Sequence, residues 1–328
     1  MRRNPFVAVL LALASALFFT STYVLNRAMA EAGGHWAWSA ALRYLLTLPM
    51  LAAALPLMGG AAPVWQALRR HPLVWLGWSF VGFTLFCVCL TWAADHAPAW
   101  LVAGTFQLTV IAGMLLGPLL YRGERARLPG RALALGVLVV LGIGLMQAGH
   151  YQGALDREAW LALAAVAFAA FLYPLGNRAL LLHLEQTGER LNATQRVFGM
   201  TLASQPSWWL IAAWGGSVAG SPPWSQVVLA GGVALFAGTI ATILFFRATE
   251  MVQDDPAALG AVEAMQAAEL VFSTALGVAF LGEHVPGGVA LVGAALVIAG
   301  ILALGALAGR RAAGDARAAR ALRSDRGA

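Results

Sequence analysis

Asn26-Arg27-Ala28 closes the first hydrophobic run of the chain, and Asn177-Arg178-Ala179 closes the sixth, about 150 residues later. Further matches follow in the same order at slowly drifting offsets: Tyr23 with Tyr173, Arg43 with Arg196, Gly82 with Gly238, Gln107 with Gln266, Gly123-Glu124 with Gly282-Glu283, and Gly142-Ile143 with Gly300-Ile301. Each match alone is weak; their shared order marks an internal duplication. If each copy holds five spans, an odd number, the second enters the membrane with orientation opposite to the first. Inverted repeats of this kind suggest a secondary transporter working by alternating access.

The solvent of such a chain is lipid. It is 60% hydrophobic and 11% charged, against roughly 25% charged in a soluble globule. Runs of about 18 or more apolar residues number ten: Phe6 to Leu25, Trp36 to Leu57, Leu73 to Ala93, Trp100 to Leu120, Arg131 to Ala148, Ala159 to Leu182, Thr194 to Trp214, Val227 to Phe246, Ala257 to Phe280, and Gly288 to Leu307. They are about twice the length of a membrane strand and lack strict alternation, so the fold class is all-α, an integral membrane protein of ten transmembrane helices. The division expected is 1–150 for the first five-helix repeat, 151–309 for the second, inverted one, and 310–328 for an Arg/Ala-rich cytoplasmic tail without fixed structure, which may be drawn to anionic lipid.

All 21 basic residues are arginines, and their placement sets the topology. With a cytoplasmic amino terminus, the inner side receives Arg2, Arg3, Arg69, Arg70, Arg122, Arg125, Arg127, Arg131, Arg178, Arg190, Arg196, Arg247 and the six tail arginines, while the outer side receives Arg27 and Arg157. This 18-to-2 bias, with Arg43 inside a span, places both termini inside. A multi-pass protein of a bacterial-type cell (inner) membrane is expected, and the net charge of +6 needs no nucleic-acid partner.

The first span is too long for a cleaved signal peptide, although Ala28-Met29-Ala30 mimics a cleavage site. Cys87 and Cys89 lie two apart on one helix and face nearly opposite directions, which suggests neither a disulfide nor a metal site. Without a nucleotide loop, a nucleophile triad or spaced metal ligands, an enzyme is not expected, and neither is a cofactor.

Ionisable groups inside spans cost roughly 2.5 to 3.5 kcal/mol each on insertion, so they default to functional candidates. The ninth span reads Ala261-Val262-Glu263-Ala264-Met265-Gln266-Ala267-Ala268-Glu269 and continues to Ser273. At about 100° per residue, Glu263, Gln266, Glu269 and Ser273 share an arc of about 120°, one polar stripe turned from lipid. Glu269 lies near mid-span, Glu263 about 9 Å nearer the cytoplasm. Either carboxyl could exchange a proton for a cationic substrate as water access alternates; the alternative is permanent neutralisation by an arginine, for which Arg43 is the obvious candidate. Arg43 itself either lines the pathway or snorkels outward. Gly104 and Val110 stand in the fourth span where the ninth has its two acids, so only the second copy carries intramembrane acid. Further pathway candidates are Gln107, Asn26, Tyr23, Tyr173, Asn177, Arg196 and Thr105; most could equally be interhelical glue. Pro174 beside Tyr173 reads either as a pathway-lining break or as an ordinary kink.

Leu25-Asn26-Arg27, the run from Trp36 to Arg43, Trp78 to Phe83, Trp100 to Thr105, Tyr173 to Arg178, Gln195 to Ser204, and Ala261 to Ala264 resemble the multidrug resistance efflux transporter family of the drug/metabolite transporter (EamA-like) superfamily. The resemblance covers the chain from the first span through the tenth. It implies two inverted five-helix repeats and an exporting secondary carrier. The partners expected are the lipid bilayer, a small-molecule substrate and protons, with a homodimer left open. The function so read is proton-coupled export of cationic or amphipathic molecules by Glu269 and Glu263. The alternatives are export of a metabolite or amino acid, or a non-transporting integral membrane protein.

Overall fold

A computed structural model describes residues 5–96, 99–150, 157–281 and 288–324. Gly282-Glu283 and most of the boundary loop at 149–156 therefore lie outside the described residues. Among those residues every regular element is helical. Five runs are long and apolar enough to cross a membrane: Pro5–Ala30, Trp36–Met58, Pro72–His96, Arg157–Thr187 and Trp224–Val252. Shorter apolar helices are Val102–Leu115, Gly130–Met146 and Val289–Leu304. Large apolar side chains lie bare on the outside, Leu73, Leu141, Leu210 and Leu302 among them. In water such a surface would aggregate; it suits contact with lipid.

The helices pack in matched couples. Gly130–His150 lies along Val289–Ser324, and Trp36–Ala54 along Ala193–Ala219. Pro5–Phe19 packs on Thr242–Val252 as Arg157–Thr187 packs on Phe86–His96. Small residues make these approaches close. A Cβ on Gly142 would sit 2.8 Å from the carbonyl oxygen of Gly293, and one on Gly176 would sit 2.6 Å from the backbone nitrogen of Gly82.

Polar ties fix the ends of the second and seventh helices. At one end the Trp38 indole N–H donates to the Gly220 carbonyl at 2.8 Å. At the other, Asn192 and Gln195 form a reciprocal cap on helix Ala193–Ala219. Their amides also donate to the carbonyls of Met58 at 2.7 Å and of Gly60 at 3.1 Å. The turn carrying those carbonyls has Gly59 and Gly60 at positive φ, backbone that glycine adopts without cost.

Five of the helical runs are irregular at mid-length. The first changes direction at Thr20, whose hydroxyl donates back to the Ala16 carbonyl at 2.9 Å. The third and eighth contain π-helical turns at Phe80–Leu85 and Ala234–Ala241. The ninth tightens to a 3-10 turn at Met265–Ala267, and a further interruption separates Ala99–Phe106 from Thr109–Leu115. By contrast, Pro174 lies within the continuous helix Arg157–Thr187 and does not break it.

Residues 258–270 are buried without exception, so the ninth run has no lipid face opposite a polar stripe. The last helix continues to Ser324, through residues expected to lack fixed structure; alanine and arginine both have high helix propensity.

Candidate functional site

The irregular turns converge on a central cavity with room of about 40 Å³. A water needs roughly 10–15 Å³ measured this way, so in this conformation the space is that of a few waters. Phe19 lies just before the break in the first helix and Thr22 and Tyr23 just after it, while Arg43 and Tyr44 come from the second. Phe83 and Phe86 flank the end of one π turn, while Gly238 and Thr242 lie in and after the other. Tyr173, Gln266 and Glu269 complete the polar lining, beside Leu90 and Phe106. π turns often occur at functional sites because the extra residue re-aims side chains.

The walls are aromatic. Phe86 lies 5.0 Å from Tyr173 and 5.5 Å from Phe106 between ring centroids. Tyr44 stacks at 4.5 Å on the fully buried Trp208 and meets Phe83 at 5.4 Å. Such faces suit flat or cationic groups.

Within those walls sit one acid and one base. Glu269 is 2% exposed and accepts a hydrogen bond from the Tyr23 hydroxyl at 2.9 Å. No arginine forms an ion pair with it among the described residues. Arg43 is 6% exposed, so its guanidinium does not snorkel to the surface. It lies 5.6 Å from the Tyr44 ring centroid, and its Nε has no hydrogen-bond partner. The Thr22 hydroxyl, the Tyr173 hydroxyl and the Gln266 amide nitrogen are likewise buried without partners. Buried polar groups are nearly always satisfied; unsatisfied ones lining this cavity make it a candidate site for water or a polar guest.

Glu263 belongs to a different constellation. The 3-10 turn at Met265–Ala267 separates it from Glu269, and its carboxylate is gripped by Arg178: Nε to Oε1 at 2.9 Å and Nη2 to Oε2 at 2.5 Å. Arg178 Nη1 also donates to the Gly113 carbonyl. Both charged side chains are buried, 6% and 3% exposed. Gly113 is required where it stands, because a Cβ there would collide with the Glu263 carboxylate. This is a bidentate fork with a third acceptor, the geometry for which arginine is suited.

The structure thus brings together Tyr23, Arg43, Tyr173, Gln266 and Glu269 from the sequence candidates. Glu263, Gln107, Asn26, Asn177, Arg196 and Thr105 do not line the cavity. Gln107 sits at the helix interruption, buried, with neither amide atom partnered. Arg196 is 1% exposed and donates to the Phe246 carbonyl at 3.0 Å and to Glu250 at 3.1 Å. The neutralising arginine of the ninth run is Arg178 rather than Arg43. The arginine bias counts Arg178 on the inner side, although the sixth run, Ala159 to Leu182, already contains it; helix Arg157–Thr187 likewise extends past it.

A family model described as "Putative multidrug resistance efflux transporter" (EmrE) matches residues 6–309. The chain belongs to this family. It is 40% identical over 304 residues to "Uncharacterized protein YjlA" of Bacillus subtilis (strain 168), covering 90% of this chain and 93% of the relative. A Shouchella clausii protein, "Uncharacterized 42.1 kDa protein in intracellular alkaline protease 3'region", is 41% identical over 255 residues, 76% of this chain and 66% of the relative. A solved structure titled only "Crystal structure of protein" superposes with a TM-score of 0.68 at 20% identity, covering 93% of this chain and 98% of its own; that likeness shows a shared fold. Membership of the EmrE family makes the chain a multi-pass membrane protein of small-molecule transport.

Proposed function

We propose that the chain is a proton-coupled exporter of small molecules bearing a cationic or amphipathic group, with Glu269 as the coupling acid. The observation that carries this reading is a carboxyl group in the central cavity, 2% exposed, touched by a tyrosine hydroxyl and by no cation. Holding an unpaired carboxylate away from water is costly. A proton or a cationic substrate relieves that cost equally well, and two ligands competing for one negative site are exchanged when access alternates between the two sides. Glu263 lacks this freedom, since Arg178 already supplies its counter-charge.

Inverted five-helix repeats supply the alternation. Gln107 and Gln266, paired in the sequence, both fall at helix interruptions. Gly82 and Gly238, likewise paired, both lie in π turns. The packing couples described above exchange one half of the chain for the other. These correspondences support a duplicated scaffold around one central site, with both termini cytoplasmic by the arginine bias.

The test is flux in proteoliposomes under an imposed pH gradient, screening cationic dyes and metabolites. Wild type and Glu263→Gln should show gradient-driven flux per folded molecule, and Glu269→Gln should show none. Gradient-driven flux persisting in Glu269→Gln overturns the assignment.

A further inference from the structure

We propose that the central cavity is a site for a compact zwitterion, whose ammonium end meets Glu269 and whose anionic end, a carboxylate or its equivalent, meets Arg43. The inference rests on the transport reading above and deepens it by naming the substrate class.

Arg43 carries its charge at any physiological pH. It is buried to 6% exposure, lines the cavity, and its side chain has no hydrogen-bond or ion-pair partner among the described residues. The other two deeply buried arginines each have an acidic partner: Arg178 holds Glu263 and the Gly113 carbonyl, and Arg196 reaches Glu250 and the Phe246 carbonyl through Nη2, with its Nε and Nη1 unpartnered. Of these three, Arg43 is the one that lines this cavity and has no acidic partner. A guanidinium fork matches a carboxylate with two parallel hydrogen bonds.

Glu269 does not serve as that partner. One of its oxygens is engaged by Tyr23, and no ion pair joins it to Arg43. The cavity therefore presents one positive and one negative group, separately, to whatever enters. A simple cation satisfies Glu269 and is repelled by Arg43; a simple anion does the reverse. A molecule with both charges satisfies both. The partnerless Thr22, Tyr173 and Gln266 polar atoms provide further hydrogen bonds between the two poles, and Phe83, Phe86 and Phe106 give an apolar wall for its remaining carbon.

The experiment uses the full chain in proteoliposomes and two matched sets of probes: phenylalanine with 2-phenylethylamine and 3-phenylpropionate, and alanine with ethylamine and propionate. Each set shares one carbon frame and differs in which charges it carries. In counterflow by the wild type, at least one zwitterion should move tenfold or more faster than the amine and the acid of its set. Arg43→Gln should lower the zwitterion-to-amine ratio at least tenfold, and Arg43→Lys, which keeps the charge and loses the fork, should fall between. Equal wild-type rates for amine and zwitterion overturn the proposal, as does failure of both zwitterions to move. An Arg43→Gln variant that slows all three probes of a set in the same proportion also overturns it. The wild-type comparison needs no variant to fold. Zwitterion preference with no response to a pH gradient would sink the proton-coupling reading and leave this one standing; gradient-driven flux of amines alone would do the opposite.

Discussion

The buried pair Arg178–Glu263 gives the sharpest prediction, because the structure assigns it to holding the fold together and the sequence alone assigned Glu263 to coupling. Replacing Glu263 with Gln removes one member of a bidentate contact in which both side chains are at most 6% exposed. Arg178 then keeps its charge and its bond to the Gly113 carbonyl but loses its counter-ion. Breaking a buried pair from one side costs about 3–5 kcal/mol, or roughly two to four decades in the folding equilibrium. Arg178→Gln should cost less, because a stranded carboxyl can be neutralised by a proton from water and a stranded guanidinium cannot. The double variant Arg178→Met with Glu263→Leu removes both charges at similar volume and should lie well above Glu263→Gln in stability.

The assay is unfolding by SDS titration in mixed micelles for the four proteins, alongside pH-gradient-driven flux per folded molecule. In a cycle closed with a fifth protein, the double variant Arg178→Gln with Glu263→Gln, coupling between the two sites should be about 2 kcal/mol or more, within the range for groups in direct contact. Glu263→Gln should be frail yet coupled. A Glu263→Gln protein within about 0.5 kcal/mol of wild type that has lost gradient-driven flux would refute the reasoning and return the proton to Glu263.

Three further outcomes follow from single contacts. Gly176→Ala, whose Cβ would meet backbone atoms of Gly82 at 2.6 Å and Trp78 at 2.8 Å, should cost about 1–3 kcal/mol in the same titration; Gly77→Ala, with nothing within 4 Å of the new methyl, should be neutral or mildly stabilising. Tyr23→Phe removes the 2.9 Å bond to Glu269 and should slow flux several-fold while leaving it gradient-driven; complete loss would make Tyr23 a member of the exchange itself. In a background with Cys87 and Cys89 replaced, an impermeant maleimide added to whole cells should label Ala32→Cys and Ser221→Cys but not Ala61→Cys or Gln186→Cys. Ala32 and Gln186 follow the first spans of the two repeats, so labelling on the same side would refute the inversion.

Much of this molecule was legible because lipid imposes a coarse grammar. Apolar length is matched by five helical runs of membrane-crossing length and three shorter ones among the described residues, and two of the echoed pairs fall at similar irregularities: Gln107 and Gln266 at interruptions, Gly82 and Gly238 in π turns. What periodicity missed were the consequences of those same interruptions. An arc of about 100° per residue places Glu263 beside Glu269 only on an unbroken α-helix; the 3-10 turn at Met265–Ala267 changes the phase, and residues buried on every side leave a polar group free to face any neighbour. Partner choice was equally out of reach. Arg43 and Arg178 are one residue type in two apolar contexts, and only the fold brings Arg178 against Glu263 while leaving Arg43 bare.

That division bears on how an intramembrane acid should be judged in chains of this kind. Helix phase put Glu263 and Glu269 on one stripe, yet the protein treats them in opposite ways: one carboxylate is held by two hydrogen bonds from Arg178, which is itself tied to the Gly113 carbonyl, and the other is reached by a single tyrosine. A group saturated by a fixed cation has little left to offer a proton or a guest, since any newcomer must first displace a bidentate partner. A group left with open valence beside an aromatic cavity can respond to both. The acid with the fewest partners is therefore where exchange should be sought, and the frailty of Glu263→Gln beside the silence of Glu269→Gln would be the measured form of that distinction.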